Sequence, residues 1–376
     1  MANKAENNIG IELLRIIAIS LLIIYHTTLI GSVGSYPSYL NAILTITKMG
    51  WLGTDIFLAI SGFFCVSAIL KAKNENKTYI SYLKSRALRF VPAYYLFIFL
   101  YLIFGVDLIN SLGNGFVLND GLLVGLLTFT SNIFYANSQW SGVALEGMFS
   151  IALLIQLVII FSGILFFISK RSTLLIIFLS FELVAIGLRL YFGSQDHWRS
   201  YFFVFTRMDA FLMGLTLGVL YTYTQVKAQL LNNALIIFCS AIIMFTLMVY
   251  FTKGMFLGNA LTTYLAYPAI AFFAVSLINL LYRYEINTLW LKKASIFGKI
   301  SYPIYLLKLP AVYFIYSVLL IYAADLNPVA FIGIFFIASL TFCFLVGGVW
   351  YLLYENLKNM FKTNIQKRNL KALNCK

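Results

Sequence analysis

Ten apolar runs of about 20 residues follow one another along this chain, and each is long enough to cross a bilayer as a helix. Of its 376 residues, 61% are hydrophobic and only 11% are charged, which excludes an ordinary soluble domain. Because lipid offers no hydrogen bonds to the backbone, each run predicts an α-helix. The chain as a whole is therefore predicted to be an all-α polytopic membrane protein. The predicted spans are 9–30, 49–70, 88–105, 143–168, 173–192, 201–223, 232–252, 260–282, 301–323 and 329–353.

A weaker eleventh run, 116–134, is interrupted by Asn119, Asp120 and Gly121. If it does not cross, the alternating segments of one side hold 20 of the 27 lysines and arginines. If it does cross, every later loop inverts and this bias largely vanishes. The positive-inside rule therefore predicts ten spans of alternating direction, with both termini on the cytoplasmic side of the plasma membrane. We expect 106–142 to be a re-entrant or interfacial segment on the outer side.

The polar ends are short, so we expect a cytoplasmic N-terminus over 1–8, one transmembrane domain over 9–355 and a basic cytoplasmic tail over 356–376. The first span is too long for a cleavable signal peptide and contains Arg15. With four scattered cysteines and two histidines, neither a metal site nor a disulfide framework is expected. The net charge of +14 favours contact with anionic lipid and phosphate, and no patch typical of nucleic-acid binding is present.

The first span carries three polar residues that are costly in a membrane: Glu12, Arg15 and His26. Arg15 and His26 are 11 residues apart, close to three helical turns, so both lie on one face roughly 16 Å apart. The predicted direction places Arg15 in the inner half and His26 near the outer end. We interpret them as two stations on a route across the membrane. The alternative is that Arg15 snorkels to the interface and His26 makes a core hydrogen bond.

Four other ionisable residues are predicted at the outer depth of His26: Asp55, Glu146, Arg207 and Asp209. Asp55 lies roughly 9 Å below the outer surface and could orient the imidazole of a general base. The alternative is a structural ion pair between Arg207 and either Asp55 or Glu146.

On the inner side, Arg86 and Arg89 share a helical face, and paired guanidinium groups suit a phosphate. Positive-inside anchoring is the alternative explanation. Tyr302 and Tyr305 share a face at the start of the ninth span, with Lys308 one turn deeper. Interfacial tyrosines are also ordinary in membrane proteins.

Six motifs occur in a fixed order between residues 9 and 355. They comprise Arg15 and His26 in LRIIAISLLIIYH; Gly53, Asp55, Phe57, Ser61, Gly62 and Phe63 in WLGTDIFLAISGFF; Arg86, Arg89 and Pro92 in RALRFVPAYY; Trp140, Ser141, Glu146 and Phe149 in QWSGVALEGMF; Arg207, Asp209 and Gly214 in RMDAFLMGLTLG; and Gly298, Ser301, Tyr302, Tyr305 and Leu306 in FGKISYPIYLLK. Together they resemble the membrane acyltransferase 3 family, which O-acylates cell-surface carbohydrates. The chain departs from the family pattern by one extra residue between Trp140 and Glu146, and by Lys308 where a histidine is common.

This resemblance implies an acyl-CoA donor, most often acetyl-CoA, that enters from the cytoplasm. The acceptor would be a hydroxyl of a lipid-linked or surface glycan, such as an O-antigen or capsule. Many relatives carry a fused SGNH domain, and we expect the stand-alone form here.

The resemblance also implies roles for individual residues. His26 would act as general base on the acceptor hydroxyl, and Arg15 would position or polarise the acyl group. The expected residues are, for catalysis, His26, Arg15, Asp55 and Glu146; for acyl-CoA binding, Arg86, Arg89, Tyr302, Tyr305 and Lys308; and for substrate contact or structural polarity, Ser61, Trp140, Arg207 and Asp209.

Two other function classes fit an apolar chain of this kind. In a transporter or flippase for a glycan, lipid or acyl group, the buried acids Glu12, Glu182 and Asp209 would serve ion coupling. A non-catalytic membrane scaffold is the third possibility. Release of CoA during acyl transfer distinguishes the enzyme from both.

Overall fold

The computed structural model describes residues 8–31, 37–112, 119–138, 144–193, 196–254, 261–284 and 288–374, with side chains as far as residue 356. Its helices are α1 Ile9–Gly31, α2 Ser38–Thr47, α3 Gly53–Asn74, α4 Tyr79–Leu100, α5 Val106–Ser111, α6 Asp120–Leu127, α7 Ser131–Ser138, α8 Phe149–Phe167, α9 Arg171–Phe192, α10 His197–Phe202, α11 Asp209–Leu220, α12 Thr224–Asn232, α13 Ala234–Thr252, α14 Tyr267–Arg283, α15 Leu289–Ala294, α16 Ile296–Lys299, α17 Ser301–Tyr322 and α18 Pro328–Asn374. No strand occurs in these ranges, so the predicted all-α class is confirmed.

Nine helical segments in the described part of the chain are long and apolar enough to cross a membrane, which identifies a multi-pass membrane protein. Each corresponds to one of the ten predicted spans. They are Ile9–Gly31, Ser38–Asn74, Tyr79–Ser111, Glu146–Phe167, Arg171–Phe192, Ala234–Thr252, Thr262–Arg283, Ser301–Tyr322 and Pro328–Asn356.

The structure differs from the prediction at the sixth span, 201–223, which is not one continuous helix. After α10, a short 3₁₀ turn over Val204–Thr206 leads into α11, whose 12 residues extend for only about 18 Å. Irregular backbone at membrane depth is tolerated where protein covers it, and Arg207 and Met208 at this break are almost fully buried. Arg189 donates a hydrogen bond of 2.7 Å to the Thr206 carbonyl oxygen, which stabilises the break.

The segment predicted not to cross, 106–142, contains only short helices where it is described: α5, α6 and α7. The hydroxyl of Tyr94 donates to the Leu126 carbonyl oxygen at 3.0 Å, and that of Tyr95 to Leu127 at 2.6 Å. These bonds fix the end of α6 against α4. No membrane-length helix lies over the described part of 116–134, as predicted.

The centre of the bundle is the contact between α3 and α11, and glycines allow the two backbones to touch. A Cβ atom on Gly62 would overlap the Phe211 carbonyl oxygen, and one on Gly214 would overlap the Ala59 carbonyl oxygen. Small residues at helix contacts are typical of membrane bundles, where close van der Waals packing drives association. By contrast, α13 is the least buried of the membrane-length segments and lies at the periphery.

Helices α3 and α11 run parallel to each other. Asp55 meets Arg207 at the start of both helices, and Val66 meets Gly218 towards their ends. Helix α3 belongs to the second predicted span and α11 to the sixth. If the spans cross in alternating directions, these two run the same way, as observed. Which side of the membrane each end faces stays a prediction.

Candidate active site

Helix α1 places Arg15 and His26 on one uninterrupted helix, about 16 Å apart along its axis. The Arg15 side chain is 26% exposed, and its Nη1 donates to Glu12 Oε1 at 2.6 Å. Its guanidinium carbon also lies 5.8 Å from the centre of the Phe64 ring in α3. The Glu12 carboxylate and the Phe64 ring therefore restrict the orientation of the Arg15 guanidinium.

His26 is buried towards the other end of α1, with its ring 5.1 Å from the ring of Tyr25. The Lys308 ammonium of α17 lies close enough to affect the charge of the imidazole, and it packs against Gly147, the residue after Glu146. The tertiary structure thus brings together an imidazole, an amine and a carboxyl from three separate motifs. Acid–base chemistry on a hydroxyl needs groups of these types close to one another.

Lys308 is fully buried and its ammonium lies in a space that a glycine leaves open. Its Nζ is 3.7 Å from the centre of the Tyr305 ring, a cation–π contact, and a Cβ atom on Gly147 would lie only 2.6 Å from that nitrogen. Next to it, the hydroxyls of Ser150 and Tyr305 are hydrogen bonded to each other. Lys308, from the last of the six motifs, therefore belongs to the polar group around His26.

Asp55 pairs with Arg207, not with His26. Its two carboxylate oxygens each lie 3.1 Å from a nitrogen of the Arg207 guanidinium, and both side chains are buried. Nη2 donates a hydrogen bond to one of these oxygens, and Nη1 makes an ionic contact with the other. The structure thus supports the alternative of a structural ion pair over the expectation that Asp55 orients the imidazole.

Three aromatic rings surround the Arg207 guanidinium. The ring centres of Trp51, Tyr201 and Tyr267 lie 5.2, 4.9 and 4.6 Å from its central carbon. Sequence reasoning did not single out these rings, because aromatic residues at the ends of spans are common in any membrane protein. Only their convergence on one arginine distinguishes them.

Asp209 forms a second buried ion pair, with Arg189 of α9. The two guanidinium nitrogens donate to the two carboxylate oxygens at 2.7 and 2.8 Å. Arg189 was missed as a functional candidate, although an arginine inside an apolar span is itself a signal. The break between α10 and α11 is thus tied to α3 by Arg207 and to α9 by Asp209.

Arg86 and Arg89 lie in α4, near the Arg15 end of α1. Arg86 is half-buried over the ring of Tyr82, at 5.6 Å, and Arg89 is exposed, 5.4 Å from the ring of Phe90. Tyr302 donates to the Phe90 carbonyl oxygen at 2.9 Å, so it lies beside this basic face. Tyr302 therefore contacts α4, whereas Tyr305, one turn further along α17, is hydrogen bonded to Ser150 of α8.

Two of the predicted site residues, Ser61 and Trp140, are not placed in either cluster of polar side chains. Ser61 is half-buried in α3, and Trp140 lies outside the described residues. In the ranges that the structure describes, no group of three His, Cys, Asp or Glu side chains could hold a metal ion.

Eleven of the predicted site residues, together with Glu12, thus form two groups along α1. The Arg15 group consists of Glu12, Arg15, Arg86, Arg89 and Tyr302, and the His26 group consists of His26, Asp55, Glu146, Arg207, Asp209, Tyr305 and Lys308. The first presents cations at one end of the bundle. The His26 group consists of titratable side chains that are buried inside the bundle.

The sequence model of a protein family described as "Acyltransferase domain" matches residues 8–348. Similar curated proteins from Staphylococcus aureus strains COL, MSSA476 and N315 are provisionally named O-acetyltransferases. Each is 28% identical to this chain over 234 residues, covering 58% of this chain and 35% of the relative. This chain therefore spans about a third of the length of these relatives. No solved structure gives a significant match.

Proposed function

This chain belongs to the acyltransferase family whose sequence model covers residues 8–348, and on that premise we propose that it transfers an acyl group from cytoplasmic acyl-CoA to a glycan hydroxyl. It is a multi-pass membrane acyltransferase. The names of its relatives favour acetyl as the acyl group. The acceptor in this proposal is a surface or lipid-linked glycan, and the enzyme lies in the plasma membrane with cytoplasmic termini.

One observation carries the proposal: a single helix joins a cationic group to a buried titratable group. Arg89 is exposed and Arg86 is half-buried, and both suit the phosphates of CoA, which a guanidinium binds with two hydrogen bonds. The flexible pantetheine arm of CoA separates those phosphates from the thioester. That arm would run along α1, past Arg15, and bring the acyl carbonyl to His26.

In the proposed reaction His26 accepts the proton of the acceptor hydroxyl as its oxygen attacks the thioester carbonyl carbon. The new C–O bond forms as the C–S bond breaks, and CoA leaves as a thiolate that takes up the proton that His26 accepted. Glu146 and Lys308 lie within electrostatic reach of this site. The Lys308 ammonium supplies positive charge where negative charge develops on the carbonyl oxygen, and the Glu146 carboxylate balances the charge of that ammonium.

The test is acyl transfer by the purified protein in liposomes, with labelled acetyl-CoA outside and a panel of glycan acceptors. His26→Ala should lower the rate of CoA release about 10²- to 10⁴-fold, the usual contribution of a general base, with an unchanged unfolding temperature. The matched control is His197→Ala, the other histidine, which is half-buried at the start of α10. Transfer that survives His26→Ala would overturn the proposed mechanism.

The donor side is tested separately with Arg86→Ala combined with Arg89→Ala. Loss of two phosphate contacts should raise the KM for acetyl-CoA at least tenfold, while kcat changes little. Lys84→Ala, an exposed cation of the same helix, is the control and should leave KM unchanged. If the double variant keeps its KM, the two arginines serve only as a topology anchor.

A broken helix beside buried charges is also a feature of secondary transporters, which favours the transporter as the second candidate. The same liposomes separate the two functions. Movement of a labelled glycan or lipid across the bilayer without release of CoA would support the transporter.

A further inference from the structure

Glu12 is a buried carboxylate that the proposed roles leave unused. It is 5% exposed, although it lies in an apolar helix near one end of the bundle. A carboxylate there is unfavourable unless a cation or hydrogen-bond donors compensate it. Its Oε1 accepts from Arg15 Nη1 at 2.6 Å, one helical turn away.

The second oxygen of this carboxylate has no hydrogen-bond partner among the described residues. Among the described residues, the carboxylate of Glu12 therefore forms its ion pair with Arg15 alone.

Gly298, in α16, holds the Glu12 side chain from the other side. A Cβ atom on Gly298 would overlap the Glu12 carbonyl oxygen and lie 2.6 Å from Oε2. The α16 backbone therefore lies directly on Glu12 and leaves its carboxylate little freedom to turn away from Arg15. The same backbone leads within four residues to Tyr302, beside Arg86 and Arg89.

Arg15 needs such a restraint, because its side chain is long, flexible and a quarter exposed. A free arginine near a membrane surface extends its charge towards water. Glu12 holds the guanidinium next to α3, where Phe64 lies under it. A cation fixed in this place stays on the path between the Arg86/Arg89 surface and His26.

We propose that Glu12, clamped between Arg15 and Gly298, is a positioning residue for acyl transfer that fixes the Arg15 guanidinium on the acyl path. The inference rests on the proposed function. It concerns a residue to which the family motifs found in the sequence assign no role. Glu12 acts through Arg15, so its contribution must disappear when Arg15 is absent.

The experiment is a double-mutant cycle on the full-length protein in liposomes, with acetyl-CoA as donor and CoA release as readout. Glu12→Gln keeps the size of the side chain and removes its charge. It should lower kcat about 10- to 100-fold, with little change in the KM for acetyl-CoA. In an Arg15→Ala background, Glu12→Gln should cause no further loss.

A residue with a purely structural role behaves differently. Its substitution would lower the unfolding temperature and reduce activity by the same factor whether or not Arg15 is present, and that result would overturn the proposal. The control is Glu75→Gln, which removes an exposed carboxylate that pairs with Lys77 at the same 2.6 Å distance. This control should leave kcat and KM unchanged.

A second pair of variants tests the clamp without removing any charge. Gly298→Ala should displace the carboxylate and lower kcat at least fivefold, and this loss should also vanish in the Arg15→Ala background. Gly333→Ala, at a glycine with no neighbour within 4 Å, is the control. An active Gly298→Ala enzyme with unchanged kcat would refute the clamp. A wild-type protein that releases no CoA would instead refute the proposed function.

Discussion

At the scale of single residues, the protein stabilises charge inside an apolar bundle by pairing two buried aspartates with one arginine each. Asp55 and Arg207 are 152 positions apart, and both are at most 2% exposed. Asp209 and Arg189 form the second such pair. An unpaired charge in these places would be far less stable than the pair, which makes each partner depend on the other.

Asp55→Asn should therefore destabilise the protein by about 3–5 kcal/mol, because it leaves the Arg207 charge buried without its carboxylate. The measurement is the free energy of unfolding, or the unfolding temperature, in detergent micelles. Combining Asp55→Asn with Arg207→Met should recover part of this loss, since no charge then remains at the site. An Asp55→Asn variant as stable as the wild type would contradict a stabilising role for the pair.

At the scale of elements, the contact between α3 and α11 decides how the centre of the bundle is built. Gly62 and Gly214 let the backbones meet without intervening side chains. The contact holds α3, which carries Asp55, against the short helix that follows Arg207. The packing of two helices thus sets the geometry of an ion pair in the His26 group.

Gly62→Ala should destabilise the protein by about 1–3 kcal/mol, since a Cβ atom would overlap the Phe211 carbonyl oxygen and force the helices apart. Gly187→Ala in α9 is the matched control, because nothing lies within 4 Å of the added atom. It should leave stability equal or slightly higher, as alanine favours a helix. Equal unfolding temperatures for the two variants would contradict the close contact.

At the scale of the whole molecule, contacts join residues that the loop charges assign to the same side of the membrane. The Arg171 guanidinium lies 4.7 Å from the Tyr223 ring, and both are predicted on the inner side. At the opposite end, Gly31 lies against Ile332 and Phe335. These two contacts are consistent with alternating crossing.

The absolute orientation is tested by cysteine labelling in intact cells, after the four native cysteines are replaced by serine. Arg171→Cys should react with a membrane-impermeant thiol reagent only after the cells are opened. Lys253→Cys, at an exposed position predicted on the outer side, should react in intact cells. Labelling of residue 171 from outside would mean that the predicted topology is inverted.

The sequence by itself determined the features that depend on local pattern. Hydropathy predicted an all-α membrane protein and the nine membrane-length helical segments of the described residues, and the charge bias predicted that 116–134 does not cross. Helical periodicity placed Arg15 and His26 on one helix, because that relation needs no contact with the rest of the chain.

Only the tertiary structure decided which partners the polar residues have. It paired Asp55 with Arg207, divided the sixth span at Thr206, and gave Tyr302 and Tyr305 hydrogen bonds to different helices. Several carboxyls and arginines of similar predicted depth could have paired with one another in the sequence. The choice among them depends on which helices touch, and that follows from the packing of small residues in distant segments.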